Sequence, residues 1–208
     1  MATVLKKTVL ITGCSTGGIG WAMAKNFHQR GFYVFATARN PSKTADLAEL
    51  SDIEILELDV TVPKTIAQCK EIIAKHTGGS LDVLVNNAGV EFNSPLLDTD
   101  VAEAKRLYDV NVWGPLAMVQ AFAPLLIEAK GVISNQSSID GALNMVWAGK
   151  SPSASACNSL SLSLLGSQAN LATRARALDQ AFSLVPSPPW RVCRKPCGSS
   201  SSRWACAS

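Results

Sequence analysis

Short apolar runs alternate along the chain with stretches in which apolar positions return every three or four residues. Continuous runs suit strands buried on both faces and the wider period suits helices, so the alternation predicts a parallel sheet covered by helices. Thr8 to Ile11 reads as the first strand, running straight into a Gly-rich turn. Ile19, Met23 and Phe27 then recur at helical spacing, with Gly31 as the C-cap. Tyr33 to Ala36 is a second strand, Pro41 to Leu50 a short helix and Ile53 to Leu58 a third strand. Pro63 opens a helix whose face carries Ile66, Cys69, Ile72 and Ile73, closed by Gly78-Gly79. Leu81 to Val85 is a fourth strand, and Val132 and Ile133 begin a fifth. The helical stretch from about Val101 to Ala129 contains Pro115 and Pro124, which predicts a kink there.

After Gly149 the pattern stops. The last 59 residues hold 14 Ser and four of the six Cys, with no period of 2 or 3.6. Two regions are therefore expected: 1–149, the strand–helix domain, and 150–208, a low-complexity tail too poor in periodic apolar residues to order itself. Charge divides at the same place. Residues 1–149 carry 12 Lys+Arg and 15 Asp+Glu, a net of −3, whereas 150–208 carry 7 Lys+Arg and only Asp179, a net of +6. A basic tail suits nucleic acid or an anionic membrane, but these charges are scattered and no amphipathic period orders them, so no nucleic-acid partner is expected.

A chain of 208 residues, 47% of them hydrophobic, is long enough for one domain with a real core. No apolar run reaches the ~20 residues that span a bilayer, so no transmembrane segment is expected. No secretory leader is recognisable, and the six Cys lack metal-ligand spacing. The expectation is an intracellular, cytoplasmic protein with reduced thiols and no metal.

Chemistry concentrates at strand ends. Thr12-Gly13-Cys14-Ser15-Thr16-Gly17-Gly18-Ile19-Gly20 lies between the first strand and a helix. Glycines there let backbone approach a pyrophosphate, and the helix start offers free N–H groups and a partial positive charge. Gly13, Ser15, Thr16, Gly18, Ile19 and Gly20 are the candidate contacts; the competing reading is a tight turn with no ligand. Ala38-Arg39-Asn40 ends the second strand. An acidic residue there would suit the ribose 2′-OH of NAD, whereas Arg suits a 2′-phosphate, so Arg39 favours NADP(H) unless it is simply a solvated surface charge. Asp59-Val60, after the third strand, is a candidate adenine contact, and Asp59 also suits a capping role. Asn87, Ala88 and Gly89 complete the candidate cofactor set.

A TG-rich loop with GIG, a strand-end Asp59-Val60, and Asn86-Asn87-Ala88-Gly89 at these intervals resemble the short-chain dehydrogenase/reductase family. The resemblance covers Val4 to Gly149 and implies a Rossmann-type, doubly wound α/β sheet of strand order 3-2-1-4-5, lacking the family's last strands. Asn111 matches the family's helix-kink Asn, which holds a water in a proton relay, and Ser138 matches its catalytic Ser. Ile11 to Gly20 together with Val34 to Pro41 look most like the 1-acyldihydroxyacetone-phosphate reductase branch. That branch implies NADPH dependence, a lipid intermediate as substrate and an endoplasmic reticulum or lipid droplet surface. The Gly-rich loop departs from the general pattern, with four residues rather than three between Gly13 and Gly18.

The family also needs a Tyr followed four residues later by a Lys, which lowers the phenol pKa. Counting thirteen on from Ser138 reaches positions 151 and 155, where this chain has Ser151 and Ser155. Gly149-Lys150-Ser151 can be encoded by GGTAAGT and Gln180 by CAG, which suggests a retained intron from about Lys150 to Gln180 followed by a frameshift. The codons of Phe182-Ser183, however, cannot restore the Tyr in that frame. The expected function is an NADP(H)-dependent oxidoreductase interconverting a small carbonyl and an alcohol, its activity impaired in this chain. For an intact homologue a homo-oligomer is one option. A non-catalytic dinucleotide-binding or regulatory protein is the alternative, and a methyltransferase on a similar sheet is a third reading that Asn86-Asn87-Ala88-Gly89 and Arg39 support poorly.

Overall fold

A computed structural model describes residues 6–138, apart from 93. The elements run β1 (Thr8–Ile11), α1 (Ile19–Gln29), β2 (Tyr33–Ala38), a 3₁₀ helix (Pro41–Leu47), β3 (Ile53–Glu57), α2 (Pro63–Thr77) and β4 (Val83–Asn86). A short 3₁₀ turn (Leu96–Asp98), α3 (Val101–Tyr108), a π-helical turn (Asp109–Trp113), α4 (Gly114–Glu128) and β5 (Val132–Asn135) complete them. The five strands form one parallel sheet in the order β3-β2-β1-β4-β5. That is the expected topology. The order reverses between β1 and β4, which opens a crevice at their carboxyl ends.

Alternation along the strands divides the core in two. Leu10, Phe35 and Leu84, partners across the sheet, point to the face covered by α2 and α4, where Ile73, Met118 and Phe122 meet them. Val9, Ile11, Val34, Ala36 and Val85 point the other way, towards Ala24 and Leu47. A two-residue period produces this split, and each fully buried Leu or Phe contributes about 1.5–3 kcal/mol.

Several expectations about helices need correction. Ile19 is not on the inner face of α1 but 62% exposed, and the buried positions are Gly20 and Ala24. α1 approaches the loops so closely that a Cβ on Gly20 would sit 2.5 Å from Asn87 Nδ2 and from Gly13 O, so only glycine fits. On α2, Ile66, Cys69 and Ile73 are buried while Ile72 is exposed, because it lies about 100° round the helix from Ile73. The break in the 101–129 stretch is the π turn at Asp109–Trp113 rather than a kink at either proline. Pro115 opens α4, where a missing N–H costs nothing, and α4 continues through Pro124. The segment after β2 is a 3₁₀ helix, and β4 lies at Val83–Asn86.

The stretch Val101–Glu128 is long and apolar enough to cross a membrane by length and composition. Its Leu107, Val112, Met118, Phe122 and Leu125 are nevertheless buried in this domain. The boundary at Gly149, Ser151, Ser155 and the span Lys150–Gln180 lie outside the described residues.

Candidate functional site

β1 delivers the chain at Ile11 directly into the glycine-rich turn. Thr12, 1% exposed, sits at its root. Its Oγ1 accepts from both Asn87 N and Ala88 N at 2.9 Å and lies 3.3 Å from Val85 O. Asn87 Nδ2 answers by donating to Thr12 O at 2.8 Å and Gly13 O at 3.1 Å. Two loops from adjacent strands are thus held as one unit. Gly13 has φ +75°, and a Cβ there would lie 2.9 Å from Ala88 Cα, so the turn excludes any side chain.

Beyond this anchor the turn opens. A Cβ at Gly17, φ +80°, would meet nothing within 4 Å. Gly18 is the N-cap of α1 and has no side chain to bond the first-turn amides. The first intrahelical bond runs from Ala22 N to Gly18 O, so the N–H groups of Ile19, Gly20 and Trp21 have no helical acceptor. This open, donor-rich backbone fits a dinucleotide diphosphate. Ser15 is exposed, and its carbonyl accepts from Gly18 N at 3.0 Å. Thr16 turns instead to the 3₁₀ helix: its N donates to Lys43 O, and its Oγ1 lies 2.8 Å from both Lys43 O and Asp46 Oδ1. Asp46 is a residue that sequence reasoning missed, since nothing local marks a contact 30 residues away. Bonds from Thr16 and then Trp21, with Lys25 nearby, hold its carboxyl below the usual carboxylate range. Cys14 lies buried within the turn with Sγ 3.3 Å from Ile11 O. Burial pushes its thiol up to about 12, so it is neutral and unreactive at ordinary pH.

Arg39, at the carboxyl end of β2, is exposed and has no ion pair among the described residues. Asp59 Oδ1 accepts from Thr61 N at 2.9 Å and Thr61 Oγ1 at 2.7 Å, a turn-capping arrangement. Val60 is buried. A Cβ on Gly89 would lie 3.4 Å from Asn111 Oδ1. From within the π turn, Asn111 clamps the next residue, Oδ1 accepting from Val90 N and Nδ2 donating to Val90 O, each at 2.9 Å. Such π turns are rare and cluster at functional sites.

On the far side, Asn86 and Asn135 are register partners of β4 and β5, and Asn86 Nδ2 donates to Asn135 Oδ1 at 2.7 Å. Gln136 N donates to Asn86 O at 2.8 Å, carrying β5 towards Ser138, which is exposed. The candidate residues other than Asn111 therefore lie at or just beyond the carboxyl ends of the strands or in the loops and helix start that follow them, and Asn111 reaches the loop after β4 from the π turn through its bonds to Val90. Tyr33 does not: it begins β2 at the opposite edge and donates to Glu54 Oε2 at 3.2 Å.

Known proteins share this arrangement. The profile of the family described as short chain dehydrogenase matches residues 7–164. Short-chain dehydrogenase cctT of Talaromyces islandicus is 57% identical over 143 residues, which cover 69% of this chain and 50% of that protein. The NADPH-dependent 1-acyldihydroxyacetone phosphate reductase of Schizosaccharomyces pombe is 43% identical over 134 residues, covering 64% of this chain and 45% of that protein. A short-chain dehydrogenase structure from Streptomyces avermitilis superposes with a TM-score of 0.71 at 31% identity, covering 78% of this chain and 60% of that one. The chain spans about half the length of the curated relatives it matches. With this sheet, this turn and these matches, the chain belongs to the short-chain dehydrogenase family of oxidoreductases.

Proposed function

We propose that this chain binds NADP(H) along the carboxyl edge of its sheet, in the service of carbonyl–alcohol interconversion. The observation that carries the cofactor choice is Arg39: an exposed guanidinium with no ion pair among the described residues, just past the end of β2, where a basic residue suits a 2′-phosphate. The NADPH dependence of the S. pombe relative supports it, and that relative's name supports a lipid-like 1-acyldihydroxyacetone phosphate as substrate.

The bound nicotinamide would supply or accept the hydride. The chain's own residues do the rest. The amides at the start of α1 hold the diphosphate, while Gly13 and Gly17 keep side chains out of its way. Asn87 fixes the turn to the neighbouring loop, and Asn111 holds the backbone at Val90 beside it. Ser138 would orient the substrate oxygen. No Tyr stands at 151 and no Lys at 155, so the acid that would give or take the substrate proton is missing. That removes a factor of roughly 10²–10⁴. The chain as written should therefore bind NADPH without turning over.

A second reading, a non-catalytic dinucleotide-binding protein, is favoured by Ser151 and Ser155. The experiment is a fluorescence titration with NADPH beside steady-state NADPH oxidation with a panel of ketones. Binding without oxidation is the expected result. Robust oxidation contradicts the placement of the acid at 151, and absence of NADPH binding contradicts the cofactor reading.

A further inference from the structure

The cations around the glycine-rich turn are not equivalent. Lys25 is committed: its ammonium lies 3.8 Å from Asp46 Oδ2 and 4.0 Å from the centre of the Trp21 ring. Lys43 is exposed, and its side chain has no ion pair among the described residues. Its backbone, by contrast, is fixed to the turn. Thr16 N donates to Lys43 O at 2.8 Å, and Thr16 Oγ1 lies 2.8 Å from the same carbonyl. Asp46 holds this junction from beneath, with Oδ1 2.8 Å from Thr16 Oγ1 and Oδ2 accepting from Trp21 Nε1 at 2.5 Å.

Lys43 is also tied to Asn40, the residue that follows Arg39. Lys43 N donates to Asn40 O at 3.1 Å, and Asn40 Oδ1 accepts from Ser42 N at 3.0 Å, so residues 40–43 form a compact turn with Arg39 immediately before it and Lys43 at its end. The negative charge of Asp46 is matched by Lys25 and two hydrogen-bond donors, whereas Arg39 and Lys43 make no ion pair among the described residues. Thr16 belongs to the stretch between Gly13 and Gly18, which is one residue longer than the general family pattern.

We propose that Lys43 is a second specificity-determining residue, binding the phosphate on the 2′ position of the adenosine ribose together with Arg39, and that Asp46 positions it through Thr16. Arg supplies a planar fork to a phosphate and Lys a compact point charge, so the two recognise it in complementary ways. The proposal rests on the NADP(H) reading.

The test is titration of the full chain with NADPH, NADH, adenosine 2′,5′-bisphosphate and adenosine 5′-monophosphate. Lys43→Ala should weaken NADPH and the 2′,5′-bisphosphate about tenfold, equivalent to about 1.4 kcal/mol, and leave NADH and the monophosphate unchanged. Lys43→Arg should restore most of the loss, and Lys43→Gln should behave as Lys43→Ala does. Asp46→Ala should weaken the same two ligands about threefold, since Lys43 stays in place but is less well held. NADPH affinity unmoved by Lys43→Ala, while Arg39→Ala lowers it, overturns the role of Lys43 and leaves the NADP(H) reading standing. Equal losses for NADPH and NADH also overturn it. An unmodified chain that binds NADH as well as NADPH, or binds neither, overturns both.

Discussion

The amino and carboxyl edges of the sheet are built from similar residue types but treat their polar groups in opposite ways. At the amino edge, several donors and charges are paired within the protein. Lys6 Nζ lies 2.6 Å from Asp52 Oδ2, and Asp82 Oδ2 accepts from Thr8 N at 2.8 Å and Thr8 Oγ1 at 3.1 Å. Glu54 Oε2 accepts from Tyr33 OH and lies 3.6 Å from His76 Nδ1, with the Tyr33 and His76 rings 4.3 Å apart. At the carboxyl edge, internal bonds go into fixing backbone around Thr12, while the amides at the start of α1, Arg39 and Lys43 are turned outwards. The amino edge ties its polar groups together, and the carboxyl edge leaves exposed the groups proposed to meet a cofactor.

The harshest way to break this division is at Gly20. Gly20→Ala would drive a Cβ to 2.5 Å from Asn87 Nδ2 and the Gly13 carbonyl oxygen, and backbone cannot yield cheaply. We expect a loss of about 3 kcal/mol in urea unfolding and no measurable NADPH binding. A smaller loss comes at Thr12. Thr12→Val keeps the volume but leaves the Asn87 and Ala88 amides without an acceptor, at a cost of about 2 kcal/mol together with weaker NADPH binding. Thr12→Ser should recover both.

The amino edge supplies the control. Asp82→Ala removes the acceptor for two Thr8 bonds and should cost about 1 kcal/mol of stability, with NADPH affinity unchanged in the folded protein. A parallel fall in affinity would show that the edges are not separate. The smallest effect is on pH. The Asp46 carboxyl is held below its ordinary range, so the contacts it makes are fully present above the ordinary carboxylate pKa and are lost as pH falls through the lowered value. A step in tryptophan fluorescence should appear on acidification below the ordinary carboxylate range and vanish in Asp46→Asn.

Strands were legible in the sequence because a parallel sheet buries both faces of each strand, so Thr8–Ile11 and Tyr33–Ala38 show as near-continuous apolar runs. Their order came from motif resemblance and the structure bears it out. Helix faces were less legible: Ile19 and Ile72 look like core residues by type, and only the close approach at Gly20 and the angular position of Ile73 show why they are outside. The π turn was marked only through the resemblance, by Asn111 as the family's helix-kink Asn, because the contact its side chain makes is with Val90, 21 residues away in sequence. At the site, the glycine turn and Asn86-Asn87-Ala88-Gly89 were readable from spacing. The Thr16–Asp46 contact was not, because it exists only once β1 and β2 lie side by side.

The most direct measurement is the ratio of NADPH to NADH affinity before and after Arg39→Asp. The unmodified chain should prefer NADPH, and the variant should lose that preference, because a carboxylate at the end of β2 repels a 2′-phosphate and accepts bonds from a ribose hydroxyl. An unchanged ratio would contradict the account, reducing Arg39 to a surface charge and leaving the carboxyl edge without its proposed selectivity.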